Sequence, residues 1–322
     1  MENILLVFKT MKLKNLRFFF VGIVVGLATQ LVFAQQASLG SVPAVPYTQP
    51  YSANEPIPDA KQLLQEVEAH RNAVKEALVR YTYKEQDSMR QFDKRGRLLK
   101  ATSSIAEYFW VNGHEIASAI ALDGKPLTAK EQKKEQASLA KEISLAERTP
   151  SNKLLESHGA KLFTLLETMN LSQPKRVLVN GRPTLLIEFV GKKQAHLHGR
   201  VKRFFEKVSG AIWIDEQDRD VEHVELQYNE RTDYSLKTWQ SYAGEYDAKG
   251  SRQDFYFKRY APGVWLSSKD TFNFVKQIPS TVPFVYIHKA RTVEITSTYS
   301  DFHLLSQQEK AAILSGNPPS FN

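Results

Sequence analysis

Residues 209–229 read SGAIWIDEQDRDVEHVELQYN, and the reading of this stretch decides the fold. The pattern predicts a β-hairpin: a strand at Ala211–Asp215, a polar turn at Glu216–Asp220 and a return strand at Val221–Tyr228. In the return strand Val224, Leu226 and Tyr228 fall on one side, and His223, Glu225 and Gln227 on the other. That period of two suits a sheet with one covered face and one wetter face.

The same theme recurs on both sides of the hairpin. Toward the C-terminus, strands are expected at Arg252–Tyr260, Val264–Gln277, Phe284–Lys289 and Thr292–Tyr299. They are separated by Ala261-Pro262-Gly263, by the bend from Pro279 to Pro283 and by a short turn at Ala290–Arg291, and are preceded by a turn at Asp247–Gly250. Leu236–Gly244 is irregular. Toward the N-terminus, strands are expected at Tyr81–Met89, Leu98–Val111, Glu115–Leu122, Arg176–Val179 and Thr184–Val190. Asn112-Gly113 is the strongest short hairpin signal available, because both residues tolerate the positive φ that a tight hairpin turn requires. In the strand before it Ile105, Phe109 and Val111 share a side, with Tyr108 and Trp110 opposite.

The period changes to 3.6 in three places. Asp59 opens a helix in which Leu63, Val67, Val74 and Leu78 form an apolar stripe. Gln62 lies three residues after Asp59, a capping-box spacing. Thr128–Ala146 predicts a highly charged helix with a thin stripe of Leu139, Ile143 and Ala146. A third helix, capped by Ser151 or Asn152, runs to about Met169 and is far more apolar. The tail from Gln307 suggests a short helix. Gly191–Ser209 is ambiguous.

Ahead of the first helix lie two other segments. Met11–Ala34 reads as a secretory leader: MKLKNLR is basic, FFFVGIVVGLATQLVFA is apolar, and Ala34 offers a small residue at the cleavage point. The competing reading is an uncleaved inner-membrane anchor, but the apolar run is shorter than the roughly 20 residues of a span. Met11 is the expected true start. Gln35–Pro58 holds five prolines and reads as a semi-stiff linker. The expected organisation is therefore a leader at 1–34, a linker at 35–58, one domain at 59–305 with a helical insert at 128–169, and a tail at 306–322.

The chain has 322 residues, 42% hydrophobic and 24% charged, which is ordinary for a globular protein. Cysteine is absent, which excludes disulfides, thiolate metal sites and a Cys nucleophile. The formal charge of +8 is spread out, a mild field that favours anionic surfaces. It forms no continuous basic stripe, so no nucleic-acid partner is expected.

Chemical motifs are weak throughout. Ser138-Leu139-Ala140-Lys141 matches S-x-x-K, but Trp239 follows Lys237-Thr238 where that class needs glycine. His196 and His198 could offer two metal ligands, which is too few without a third. Asp215, Asp218 and Asp220 crowd one turn without the spacing of a calcium loop, and turn polarity explains them better than the alternative, weak calcium binding. Glu222 and Glu225 do not share a strand side, so they make a poor acid–base couple. No enzyme, cofactor or metal is implied.

The order of helix, strands, helices inserted mid-sheet and a long run of strands resembles the periplasmic carriers that sort lipoproteins to the outer membrane. The Asp123-Gly124-Lys125-Pro126-Leu127 turn and the Ile212-Trp213-Ile214-Asp215 strand add to the likeness, which spans roughly Asp59 to Leu305. It implies an α+β fold, mostly antiparallel: a curved sheet or incomplete barrel, with helices closing an apolar hollow. Such a site would bind a hydrophobic ligand or a lipidated partner without a motif, because burial is worth about 0.8 kcal/mol per CH₂. Candidate walls are Phe109, Val111, Ile212, Ile214, Val224, Leu226, Phe255, Phe257, Phe272 and Phe274, with Leu162, Phe163 and Leu166 from the third helix. The alternatives are a structural or interaction module in which these residues form a filled core, and, last, a hydrolase.

Overall fold

The computed structural model describes residues 56–78, 81–149, 169–192, 206–229, 233–234, 246–278, 289–306, 308–309 and 311. Helix α1 (Ala60–Leu78) comes first. It is followed by strands β1 (Tyr81–Phe92), β2 (Leu98–Val111), β3 (His114–Leu122) and β4 (Lys125–Pro126). Helix α2 (Ala129–Arg148) interrupts the strands. Then come β5 (Met169–Leu171), β6 (Lys175–Val179), β7 (Arg182–Gly191), β8 (Val208–Asp215) and β9 (Asp220–Tyr228). The last strands are β10 (Asp233–Tyr234), β11 (Tyr246–Ala261), β12 (Val264–Ile278) and β13 (Lys289–Leu304).

All thirteen strands belong to one sheet, in the order β4-β3-β2-β1-β13-β12-β11-β9-β8-β7-β5, with β6 on β7 and β10 on β11. Every pairing is antiparallel. The path is open, so this is an incomplete barrel of the expected class. Bulges interrupt the ladders at Thr82/Lys84, Ile105/Ala106, Trp213/Ile214 and Tyr256/Phe257. Each adds a residue on one strand and bends it, which gives a long sheet its curl.

The tight turns follow their chemistry. Asn112 and Gly113 adopt φ 50° and 75°, the paired positive values of a two-residue hairpin. Asp59 Oδ1 accepts from the backbone N–H of Lys61 and of Gln62, at 2.8 and 3.1 Å, and starts α1. Gln62 does not reach back to complete a box; its amide donates to Glu66 instead. Thr128 makes the reciprocal box with Glu131 at the start of α2.

Several boundaries differ from the sequence reading. The Asp247–Gly250 turn is a bulge inside β11, where Gly250 takes φ 77° and the register jumps from Asp247 to Arg252. The turn at Ala290–Arg291 is continuous strand: Ala290 pairs with Gln277 and Arg291 with Lys276. Pairing with β12 overrides a weak local break. Met169 opens strand β5, paired with Gly191, and does not end a helix. The rest of the expected third helix, with Leu162, Phe163 and Leu166, lies outside the described residues, as do the leader, the linker to residue 55, Leu236–Gly244, His196 and His198.

Candidate functional site

Facing residues of an antiparallel ladder share a side of the sheet, so register traces rows across it. One row runs Ile187–Ile212–Val224–Phe255 and continues Asp270–Ser297–Asp87–Ser104. The next runs Phe189–Gly210–Leu226–Gln253–Phe272–Ile295–Met89–Thr102. A third, shorter row holds Phe274, Val293 and Gln91. From β7 to β11 this face is apolar in both long rows except at Gln253. From β12 to β1 it divides, greasy along Phe272–Ile295–Met89 and polar along Asp270–Ser297–Asp87.

Helix α1 seals the apolar half. Its Leu63, Leu64 and Val67 are fully buried against Leu185, Ile187, Phe189, Ile212 and Ile214. Six of the sequence-derived wall residues sit in this cluster: Ile212, Ile214, Val224, Leu226, Phe255 and Phe257. Phe272 is half-buried and packs against both this cluster and the smaller one of Phe274, Val293, Met89 and Ile295. It joins the covered half of the strip to the half beyond α1.

Phe109 and Val111 are elsewhere. Their side of β2 is opposite the residues that pair into the strip, and they pack with Ile116 against Leu139, Ile143 and Ala146 of α2. The two helices therefore cover opposite sides of the sheet. The thin stripe read from the sequence of α2 is the part that is buried.

The sequence reading missed Met89, Val293, Ile295 and Gln253. Alternation in Thr292–Tyr299 marks Val293 and Ile295 as one side of a strand, but not which side of the sheet. Gln253 is buried at 6% exposure between Leu226 and Phe272. Its amide oxygen has no hydrogen-bond partner among the described residues.

The polar row is hydrogen-bonded. Asp87 Oδ1 accepts from the Ser297 hydroxyl at 2.6 Å, and Asp270 Oδ2 from the Tyr299 hydroxyl at 2.5 Å. Tyr83 stacks on Tyr108 at 4.7 Å and on Phe302 at 5.1 Å, forming an aromatic cluster at the end of this face.

The Glu216–Asp220 turn departs most from expectation. Turn polarity predicts a solvated loop, yet Asp215, Asp218 and Asp220 are fully buried. Cations surround them. Arg182 grips Asp215 at 2.6 and 3.0 Å. Asp218 accepts from Arg259 at 2.5 Å and from the Trp265 indole at 2.9 Å. Asp220 pairs with Arg71 of α1 at 3.2 Å and lies 3.6 Å from His70. Burial pushes the Asp220 carboxyl up, while Arg71 and His70 pull it back down. Burial costs charged groups heavily unless they are paired, so these residues act as a fastener for the hairpin tip and α1. Among the described residues no group of His, Asp and Glu could hold a metal ion.

On the outer face, His223 is stacked between Trp213 and Tyr256 at 4.4 and 4.3 Å, and its Nε2 lies 3.2 Å from Asp254. Burial pushes Asp254 up, but the bonds to His223 and Arg252 outweigh it and hold its pKa at about 2. Thr271 donates to Asp254 and not to His223, the wrong order for a nucleophile relay.

No family model and no curated protein matches the sequence. Solved structures do align with it. An outer-membrane lipoprotein-sorting protein domain from Vibrio parahaemolyticus aligns over 80% of this chain and 98% of its own, at 9% identity and a TM-score of 0.36. A DUF1329 family protein from Desulfovibrio piger aligns over 81% and 98%, at 9% identity and a TM-score of 0.31. MucB, solved in complex with MucA(peri), aligns over 75% and 94%, at 10% identity and a TM-score of 0.22. Likenesses this distant carry no inference about ligand or partner. Among the described residues no helix is long and apolar enough to cross a membrane.

Proposed function

We propose that this chain is an exported, non-catalytic protein of the cell envelope that binds a hydrophobic ligand or a lipidated partner along Phe272, Ile295 and Met89. The observation that carries the reading is the split face beyond α1. There an apolar row lies beside a row of buried and half-buried carboxylates and hydroxyls, on a sheet that does not close. An amphiphile matches both halves: its chain covers Phe272, Phe274 and Ile295, and its polar end meets Asp270, Ser297 and the Gln253 oxygen. Affinity comes from desolvation, at about 25 cal/mol per Å² of apolar area. Leu162, Phe163 and Leu166 complete the wall in this reading. The leader, cleaved after Ala34, delivers the protein to the periplasm; the alternative is retention at the inner membrane by an uncleaved leader.

Native mass spectrometry with organic extraction of the purified protein, together with uptake of a fluorescent acyl probe, tests the proposal. Bound lipid and saturable uptake are expected. An empty protein with no uptake sinks it.

One observation favours the second reading, a packed interaction module. Ile212 and Ile214 are fully buried beneath α1, so that half of the strip is ordinary core. The ligand site is accordingly confined to the part beyond α1. The hydrolase reading finds no nucleophile hydrogen-bonded to His223 among the described residues.

A further inference from the structure

The hairpin joining β1 to β2 extends past the covered part of the sheet. The ladder between β1 and β13 ends at Phe92, opposite Thr292, and residues 94–101 are all exposed. Leu98 and Leu99 are 55% and 48% exposed. Leu99 is the extra residue of a bulge, since Gln91 pairs with Lys100 and Phe92 with Leu98, and with residues 94–101 all exposed the ribbon packs on nothing among the described residues. Two neighbouring leucines displayed on a projecting tip have no role in the core, which is the form an interaction site takes.

The tip is also strongly basic. Residues 90–100 carry Arg90, Lys94, Arg95, Arg97 and Lys100 against Asp93 alone, a net charge of +4, half of the formal +8 of the whole chain. Arg97 is bound to Asp93 at 2.7 Å, and Arg90 to Glu294 at 2.7 Å. Lys94, Arg95 and Lys100 have no carboxylate partner among the described residues. The turn is stiff: Asp93 accepts from the backbone N–H of Arg95 and of Arg97, and Gly96 N–H donates back to the Asp93 carbonyl. A rigid finger with two bare leucines and unpaired cations matches a bilayer surface, where the cations meet phosphate and the leucines enter the acyl boundary.

We infer that the β1–β2 tip, centred on Lys94, Arg95, Leu98, Leu99 and Lys100, is a docking element for anionic lipid membranes. It is a distinct site from the apolar strip, but it lies at the same end of the strands. Met89 of the strip is three residues before Phe92, and Val293 is next to Thr292. Docking through the tip therefore brings the open end of the strip to the bilayer. Only this last consequence rests on the ligand reading; the docking does not.

The absence of cysteine makes a single introduced thiol a unique label site. The full chain carrying Leu99→Cys with an environment-sensitive fluorophore is mixed with vesicles of phosphatidylcholine, with or without phosphatidylglycerol. Leu178→Cys, on β6 at 74% exposure, is the reference. Expected is a blue shift and enhancement at position 99 on anionic vesicles only, reversed by salt, with no change at position 178. In an otherwise wild-type chain, reversing Lys94, Arg95 and Lys100 to Glu weakens vesicle binding by about fivefold per cation. Leu98→Ser with Leu99→Ser weakens it about tenfold. Both sets leave acyl-probe uptake in solution unchanged, so loss of docking and loss of ligand binding are read separately. Equal response at positions 99 and 178, binding to neutral vesicles alone, or tip variants that bind as wild type each overturn the proposal. So does a tip that responds to polyglutamate but not to vesicles, which assigns the surface to an acidic protein partner.

Discussion

Glu107 shows how one side chain reports on the fold. It lies in β2 at 5% exposure, on the same side as Phe109 and Val111. Burial pushes its carboxyl up from 4.5 to about 7; Lys84, with its Nζ at 4.0 Å, opposes the shift, and Asp301 and Glu309 add to it. Between these two values the folded state holds a proton that the unfolded chain has released. Folding stability therefore falls as pH rises through that window. Glu107→Gln removes the charge and keeps the shape. Denaturant unfolding is expected to show the variant about 1–2 kcal/mol more stable than wild type at pH 8, with little difference at pH 5. A wild type that is the more stable protein at pH 8 contradicts the assignment. Gly210 is a second case. A Cβ there would sit 1.9 Å from the Glu225 carbonyl oxygen and 2.7 Å from the Phe189 ring, so only glycine lets β8 and β9 approach with Phe189 across them. Nothing in the spacing of SGAIWID shows that need.

At the scale of elements, the helices divide the work. The sequence of α2 already shows its thin stripe, because amphipathicity is a local property, while its cap at Thr128 was read only from the structure. Thr128→Ala breaks the reciprocal box with Glu131 and is expected to cost about 1 kcal/mol. Hydrogen exchange should rise in α2, while α1 and the strands beneath it stay protected. Exchange that rises equally in α1 shows that the two helices are not independent covers. At its other end α2 is tied to β2 and β3: the Asn112 amide donates to the Ala146 and Thr149 carbonyls, and His114 Nε2 lies 2.8 Å from the Thr149 carbonyl. The strands were also legible, since alternation and Asn-Gly or Asp-Gly turns mark them. Their ends were less so. The expected turns at Asp247–Gly250 and Ala290–Arg291 are built into strands, because pairing with β12 satisfies the backbone more fully than a turn does.

At the scale of the molecule, register decides which apolar rows meet. Phe272 is the residue where the strip leaves the cover of α1 and continues to Ile295 and Met89. Phe272→Asp places a charge in the middle of that row. Acyl-probe uptake is expected to fall at least about tenfold, with near-ultraviolet circular dichroism preserved. Uptake that survives this change moves the ligand off the strip. Much of this site was visible as a set of strand aromatics, yet the set was not one wall. Phe109 and Val111 read like Phe272 and Phe274 in one dimension. They end on the opposite side of the sheet because the register pairs Thr102 and Ser104 of β2 into the strip, which turns Phe109 and Val111 the other way.

The sequence by itself determined most strands, the tight hairpin turns, the two helices, the cap at Asp59 and the stripe that α2 buries. All of these depend on residues within a few positions of one another. Only the tertiary structure decided that the first strand lies beside the last, that the acidic hairpin tip is buried among arginines, and which greasy rows share a face. Those outcomes come from pairing and burial between segments as much as two hundred residues apart, such as Asp87 and Ser297, and no local period encodes that choice.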